Sequence, residues 1–365
     1  MPLVNRIPHS CALALAIVCA TLGICQPSAR AGSKGPTVPP RFAVTDLGPL
    51  PRIADDVSIA VNESGQVAGW TPAGPYSVAS TCWGTTGAAR SDTPTGYLNG
   101  ITVAINDRGE TAGWVTTSEN PVDSLATVRG VVYTSGTPRG LGTLGGRDSR
   151  VFGIGRDGET VGMSDLAARK RHGFFEDSRG MIDLGTLPAG SFSCAYAIDG
   201  KGNIVGVSDT GAGVRHAVLW AKGTVRDLGV FPNGNSSCAL AINSRDDIAG
   251  YGTTGVEIHA FLLKAGKLID LGDLGEDPSM ARGVNNRDDV VGKCSISQVV
   301  SHAFFWRDGK MYDLNDLIPK TLKLTLWSGD SINDAGQIAC EAVNRAGELH
   351  AVRLDPESDA TGGRR

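Results

Sequence analysis

The stretch "HAFFWRDGKMYDLNDL" at residues 302–317 has the same layout as "HAFLLKAGKLIDLGDL" at residues 259–274. Earlier copies begin at His172, "HGFFEDSRGMIDLG", and at His216, "HAVLWAKGTVRDLG". Each is an apolar run, a turn bearing Gly, and a second run ending in Asp, the grammar of a β-hairpin. His and Asp are always eleven residues apart: His172 and Asp183, His216 and Asp227, His259 and Asp270, His302 and Asp313. Folding the blade about Ala265-Gly266 puts Phe261 opposite Asp270, so His259 and Asp270 share a face as diagonal neighbours. An imidazole and a carboxylate that close satisfy each other, and the pair reads as structural.

Upstream of each hairpin lies a second one, as in "LAINSRDDIAG" and "VAINDRGETAG". Its reference residue falls at Asn62, Asn106, Gly155, Asp199, Asn243, Asn285 and Asn333, which makes seven units. The residue before is always β-branched, and the one before that always small: Ala60, Ala104, Gly153, Ala197, Ala241, Gly283, Ser331. Small residues at one strand position in every unit imply strands crowding towards a common axis. Three residues after the reference stand Gly65, Gly109, Gly158, Gly202, Asp246, Asp288 and Gly336. These are the residues that tolerate a positive φ in a tight turn. Four short strands, A to D, in about 44 residues make a propeller blade. The chain is therefore expected to be all-β, a closed seven-bladed β-propeller of four-stranded blades spanning 41–356.

Two orphans test closure. His350 has no Asp eleven residues on, and Asp46, in "FAVTDLGPL", has no His eleven residues before it. They complete each other if the N-terminal strand serves as strand D of the last blade, which also removes an exposed sheet edge.

The phrases "HAFLL", "HAFFW", "DLGTL" and "AYAIDGKGNIVG" resemble the HAF-repeat family of extracellular bacterial repeat proteins. The resemblance runs from about Phe42 to Leu354 and is weaker in blades 1 and 2, where Ala79 and Arg129 stand in the His column. It implies a secreted repeat protein and no catalytic residues to carry over.

Residues 1–31 read as a signal peptide: a basic start, the apolar run Cys11–Ile24, and Ala29-Arg30-Ala31 before the cleavage point. Residues 32–40 read as a linker and 357–365 as a disordered tail. A lipoprotein anchored at Cys25 is the alternative, disfavoured by the bulk of Ile24. The expected location is the periplasm or the exterior, without membrane insertion after cleavage. Loss of Arg6 and Arg30 leaves 32 basic against 38 acidic side chains, so nucleic acid is not an expected partner. Five cysteines remain; Cys194 and Cys238 share a column on adjacent A strands and offer a possible disulfide, while Cys82 is the best candidate for a free thiol. No C-x-x-C pair suggests a metal, and no cofactor is expected.

The G-x-G-x-x-G match at Gly153–Gly158 falls in the repeat's own columns, with no helix to follow, and is discarded. All five mature histidines occupy one column, which leaves none as a specialised base. Trp70, Trp114 and Tyr251 share a strand B column; packing between blades is their expected role, a sugar-stacking platform the alternative. Function in repeat rings sits where the repeat is interrupted. The B–C connection of blade 2 and the D–A connection into blade 7 are longer than their counterparts and emerge on one face. They nominate Glu119, Asn120, Asp123, Lys320, Lys323 and Trp327 as a ligand rim. The function expected is a monomeric binding or scaffold module whose ligand is a glycan or an envelope protein. A hydrolase or lyase using loop carboxylates such as Glu119, Asp123 and Asp316 is one alternative, a purely structural surface repeat another.

Overall fold

The computed structural model describes residues 40–51, 58–74, 77–85, 87–118, 126–167, 170–297 and 300–357. The signal peptide, most of the linker, nearly all of the tail, and the rim candidates Glu119, Asn120 and Asp123 lie outside these residues.

Among the described residues, twenty-eight strands form seven separate four-stranded antiparallel sheets, six of them in simple sequence order. Blade 5 shows the plan: A (Ser237–Ile242), B (Ile248–Thr253), C (Ile258–Lys264) and D (Lys267–Asp270). Strand B is flanked on both sides and packed on both faces, so it reads as an unbroken apolar run; Ile204–Ser208 of blade 4 are all buried. Strand D lies outermost, and all of Gly87–Arg90 in blade 1 is exposed. The core is a series of interblade layers. Ala249, Ala260 and Leu262 of blade 5, for example, pack against Ala281, Val290, Phe304 and Trp306 of blade 6.

The turn column adopts positive φ throughout, from 66° at Asp288 to 89° at Gly158. The C–D turn of blade 5 has Ala265 and Gly266 at φ 48° and 77°, the arrangement of a type I′ hairpin, and Phe261 does pair with Asp270. The small column marks crowding at the axis: a Cβ on Gly153 would stand 2.8 Å from the carbonyl oxygen of Tyr196 in the next blade.

The seventh sheet is ordered D, C, B, A with the N-terminal strand Phe42–Pro49 as its D strand beside Leu349–Pro356. His350 Nδ1 lies 3.0 Å from both carboxylate oxygens of Asp46. The four internal pairs have the same contact at 2.6 to 3.0 Å. Where the pair is missing, arginine uses a backbone carbonyl instead: Arg90 reaches Pro72 at 2.7 Å, and Arg129 reaches Val128 at 3.0 Å.

Burial opposes charging of His259, but its hydrogen bond to Asp270 and the charges of Asp270, Asp273 and Glu257 outweigh burial and hold its pKa above the usual value. A raised folded pKa stabilises below the unfolded value, about 6.5, and that contribution is lost as pH rises through the folded pKa. Asp270→Asn should therefore cost more stability near about pH 5.5 than near about pH 8.5 in urea titrations; equal costs would show that the charged pair contributes nothing.

The reference column carries a second interblade device that the sequence reading did not assign. Asn62 Nδ2 donates to the carbonyl of Asn106 at 3.0 Å, Asn106 to Gly155 at 3.1 Å, Asn243 to Asn285 at 2.9 Å and Asn285 to Asn333 at 3.1 Å. Asn333 closes the circle on Asn62 at 2.9 Å. Gly155 has no side chain and Asp199 no side-chain N–H, so two of the seven junctions lack this link.

The cysteines require a correction. No disulfide joins Cys194 to Cys238, although both sit in one apolar cluster. Each lies across the ladder from its own blade's strand B, Cys194 opposite Val207 and Cys238 opposite Tyr251. Cys238 opens onto a cleft whose far wall is Val207 and Tyr196. Cys294 occupies the column of Ser164 and Ser208 and does their work: its sulfur accepts the Leu274 N–H at 3.1 Å, as Ser164 accepts Leu144 and Ser208 accepts Leu187. Cys82 is half-buried, and desolvation pushes its thiol pKa up.

Candidate ligand-binding cleft and inner wall

Each complete A strand has a bulge in the same repeat column, where its B partner skips a residue: Val103, Phe152, Tyr196, Leu240, Arg282 and Asp330. Ile59 occupies the equivalent position in blade 1. A bulge re-aims a side chain out of the sheet's alternation. Equivalent residues of neighbouring blades come close only near the axis, and these do. The rings of Phe152 and Tyr196 are 5.4 Å apart, Arg282 and Asp330 approach to 4.0 Å, and Asp330 accepts the Ile59 N–H at 3.4 Å. The column thus lines the inner wall. It is apolar or aromatic in blades 1 to 5 and charged in blades 6 and 7.

On the charged side, burial pushes the Asp330 carboxyl up, opposed by the positive charge of Arg282 and by a hydrogen bond from Ser328 at 2.5 Å. On the other side Trp114, Phe152 and Tyr196 form an aromatic arc, with the first two rings edge to face at 5.8 Å. Tyr196 also lines a cleft of about 340 Å³ between blades 4 and 5, with Val207, Gly213, Val214, Arg215, Ser236, Ser237, Cys238 and Tyr251. The B–C connection of blade 4 and the D–A connection into blade 5 supply its mouth, so it opens on the face nominated from loop lengths. The negative charge a Cys194 thiolate would carry, and then burial, push the Tyr196 phenol well above its usual pKa, and burial pushes the Cys194 thiol up too. At neutral pH both are uncharged, and the phenol is a hydrogen-bonding, stackable surface.

The described rim candidates do not gather into this site. Lys320 bonds Asp316 at 2.6 Å in solvent, Lys323 is exposed, and Trp327 lies within strand A of blade 7 (Leu324–Ile332), packed against the core between blades 7 and 1. The Trp70 column divides: Trp70 is buried, its indole N–H donating to Pro51 at 3.1 Å, whereas Tyr251 is a wall of the cleft. Sequence reasoning missed Tyr196, Arg150 and Arg215. For Tyr196 the available signal was the bulge column, whose residue type changes from blade to blade.

The fold defines a β-propeller scaffold. The propeller domain of the Trilobed protease from Pyrococcus furiosus, described as having an open velcro topology, is similar at 12% identity, over 88% of this chain and 97% of that one, with a TM-score of 0.53. Weaker likenesses are a chain of the Mitotic Checkpoint Complex (15% identity, 93% and 100% coverage, TM-score 0.49) and TolB from Acinetobacter baumannii (14%, 81% and 64%, TM-score 0.41). The first supports the fold alone; in the present chain the N-terminal strand completes the last blade. No protein-family model matches the sequence, and no curated protein does. No helix among the described residues is long and apolar enough to cross a membrane.

Proposed function

We propose that the chain is a binding module of the cell envelope, periplasmic or secreted, that takes a glycan at the cleft between blades 4 and 5. The observation that carries this reading is the continuity of the aromatic arc with the cleft through Tyr196, which belongs to both. Sugar rings present C–H faces that pack on aromatic planes while their hydroxyls bond polar neighbours, here the two tyrosines and Ser236. The signal-like N-terminus and the HAF-repeat resemblance support an extracytoplasmic setting.

The test is a glycan array probed with the mature chain, residues 32–365, followed by titration of any hit. Tyr196→Ala should weaken binding about tenfold, the loss of a central aromatic contact, with circular dichroism unchanged. A variant that binds as well as the native chain overturns this site, and a blank array overturns the glycan in favour of a protein ligand.

A further inference from the structure

We infer that the ligand is an acidic glycan, one whose sugars carry carboxylates, held by Arg215 at the cleft and by Arg150 further along the inner wall. The inference rests on the cleft being the binding site and adds the charge of what enters it.

Arg215 lines the cleft with its guanidinium carbon 4.3 Å from the centre of the Phe192 ring. The acid across the ladder from it is Asp209. That carboxylate is already engaged by the Ser191 N–H at 2.7 Å, the Ser191 hydroxyl at 2.9 Å and the Phe192 N–H at 2.8 Å. Arg215 forms no ion pair among the described residues, and stacking on Phe192 fixes its plane while leaving its N–H edge available.

Arg150 repeats the arrangement over Trp114, at 5.8 Å. It is half-buried, and burial, then the positive charge of Arg171, lowers its pKa. The acids on either side serve other groups: Asp165 pairs with Arg171 at 2.8 Å, and Asp148 accepts the Val128 N–H at 3.0 Å. A partly desolvated guanidinium without a bonded carboxylate is costly, and an incoming anion relieves that cost. Phe192, under Arg215, and Phe152, which meets the Trp114 ring under Arg150, pack on one cluster around Cys194, so the two arginines flank one region of the wall.

Planar guanidinium groups match carboxylates in two-point hydrogen bonding. Aromatic rings beside them suit a sugar better than an extended acidic peptide. The cleft, at about 340 Å³, is of small-ligand size and too narrow for a protein epitope.

Calorimetric titration of the mature chain would use tetragalacturonate and sialyllactose as acidic probes, galactotetraose as the neutral one, and poly-glutamate as the acidic peptide. An acidic sugar should bind at least about tenfold more tightly than the neutral one, and its affinity should fall as salt rises. Arg215→Gln should remove about tenfold of that affinity with an unchanged melting curve, and Arg150→Gln should lower it as well. Equal affinity for acidic and neutral sugars, or an Arg215→Gln variant that binds like the native chain, overturns the inference. Neutral-sugar binding that depends on Tyr196 but not Arg215 would sink the acidic ligand and leave the glycan reading standing. Preference for poly-glutamate, or no sugar bound at all, would sink both.

Discussion

Gly250→Ala should lower the unfolding free energy by about 3 kcal/mol or more, the upper range for overpacking a core, seen as a reduced midpoint in guanidinium with an unchanged slope. A Cβ on Gly250 would stand 2.0 Å from the carbonyl oxygen of Cys238 and 2.9 Å from the Phe261 ring. The carbonyl belongs to the ladder and cannot swing away as a side chain can. The same clash, at 1.9 to 2.0 Å, awaits Gly113, Gly162, Gly206 and Gly292. The bulge one turn of the pleat away is the cause, because re-aiming Leu240 and its equivalents towards the axis drives the preceding backbone onto strand B. Blade 7 supplies the internal control. Its strand B holds Cys340 in this column, and opposite it strand A carries Gly329 and a second bulge at Trp327. The clearance has moved from one strand to the other. Gly329→Ala, whose nearest contact would be Val291 Cβ at 3.2 Å, should cost distinctly less than Gly250→Ala. Equal losses would refute the account of why the column is glycine.

The bulge also explains which parts of the molecule were legible beforehand. Turn glycines, the His–Asp pairs and the small column repeat because each blade solves the same local problem, and repetition made them readable in pairs such as His259 and Asp270. The glycine column was visible as letters, but its reason was not, since the colliding carbonyl belongs to the backbone of another strand. Cys294 and Cys340 stand in strand B columns of the repeat. They are substitutions within repeat columns, one replacing a serine acceptor and the other a glycine. The site was less legible still, because it draws Tyr196 from the bulge column, Arg215 from strand C and Ser236 from a connection of the next blade, and their meeting comes from blade packing rather than sequence spacing. Loop length points to the face on which the proposed cleft opens, but Lys320 and Trp327 are spent on local bonding and packing.

Removing residues 1–50 should abolish cooperative folding of the ring, and Phe42→Ala alone should cost about 3 to 5 kcal/mol. Phe42 is 1% exposed and meets Phe305 of blade 6 edge to face at 5.9 Å, so a residue at the start of the chain packs into the seam between the last two blades. Its N–H donates to Leu317 at 3.0 Å, and the strand it opens covers the whole of Leu349–Pro356. Without that strand blade 7 presents an unpaired edge, a template for association with other chains. The ring would still have its A-strand closure, in which Asn333 bonds Asn62 and Arg353 bonds the Gly65 carbonyl at 2.8 Å. These are individual polar contacts, each contributing about 1 kcal/mol, against a seam filled by Phe42, Val352 and Leu354. The truncated chain should elute as aggregates and melt without a sharp transition, while His350→Ala, which removes the Asp46 and Asn344 bonds of the imidazole, should remain monomeric and lose about 1 to 2 kcal/mol. A truncated chain that stays monomeric with native melting would show that the inner circle of asparagines, not the outer strand, holds the ring shut.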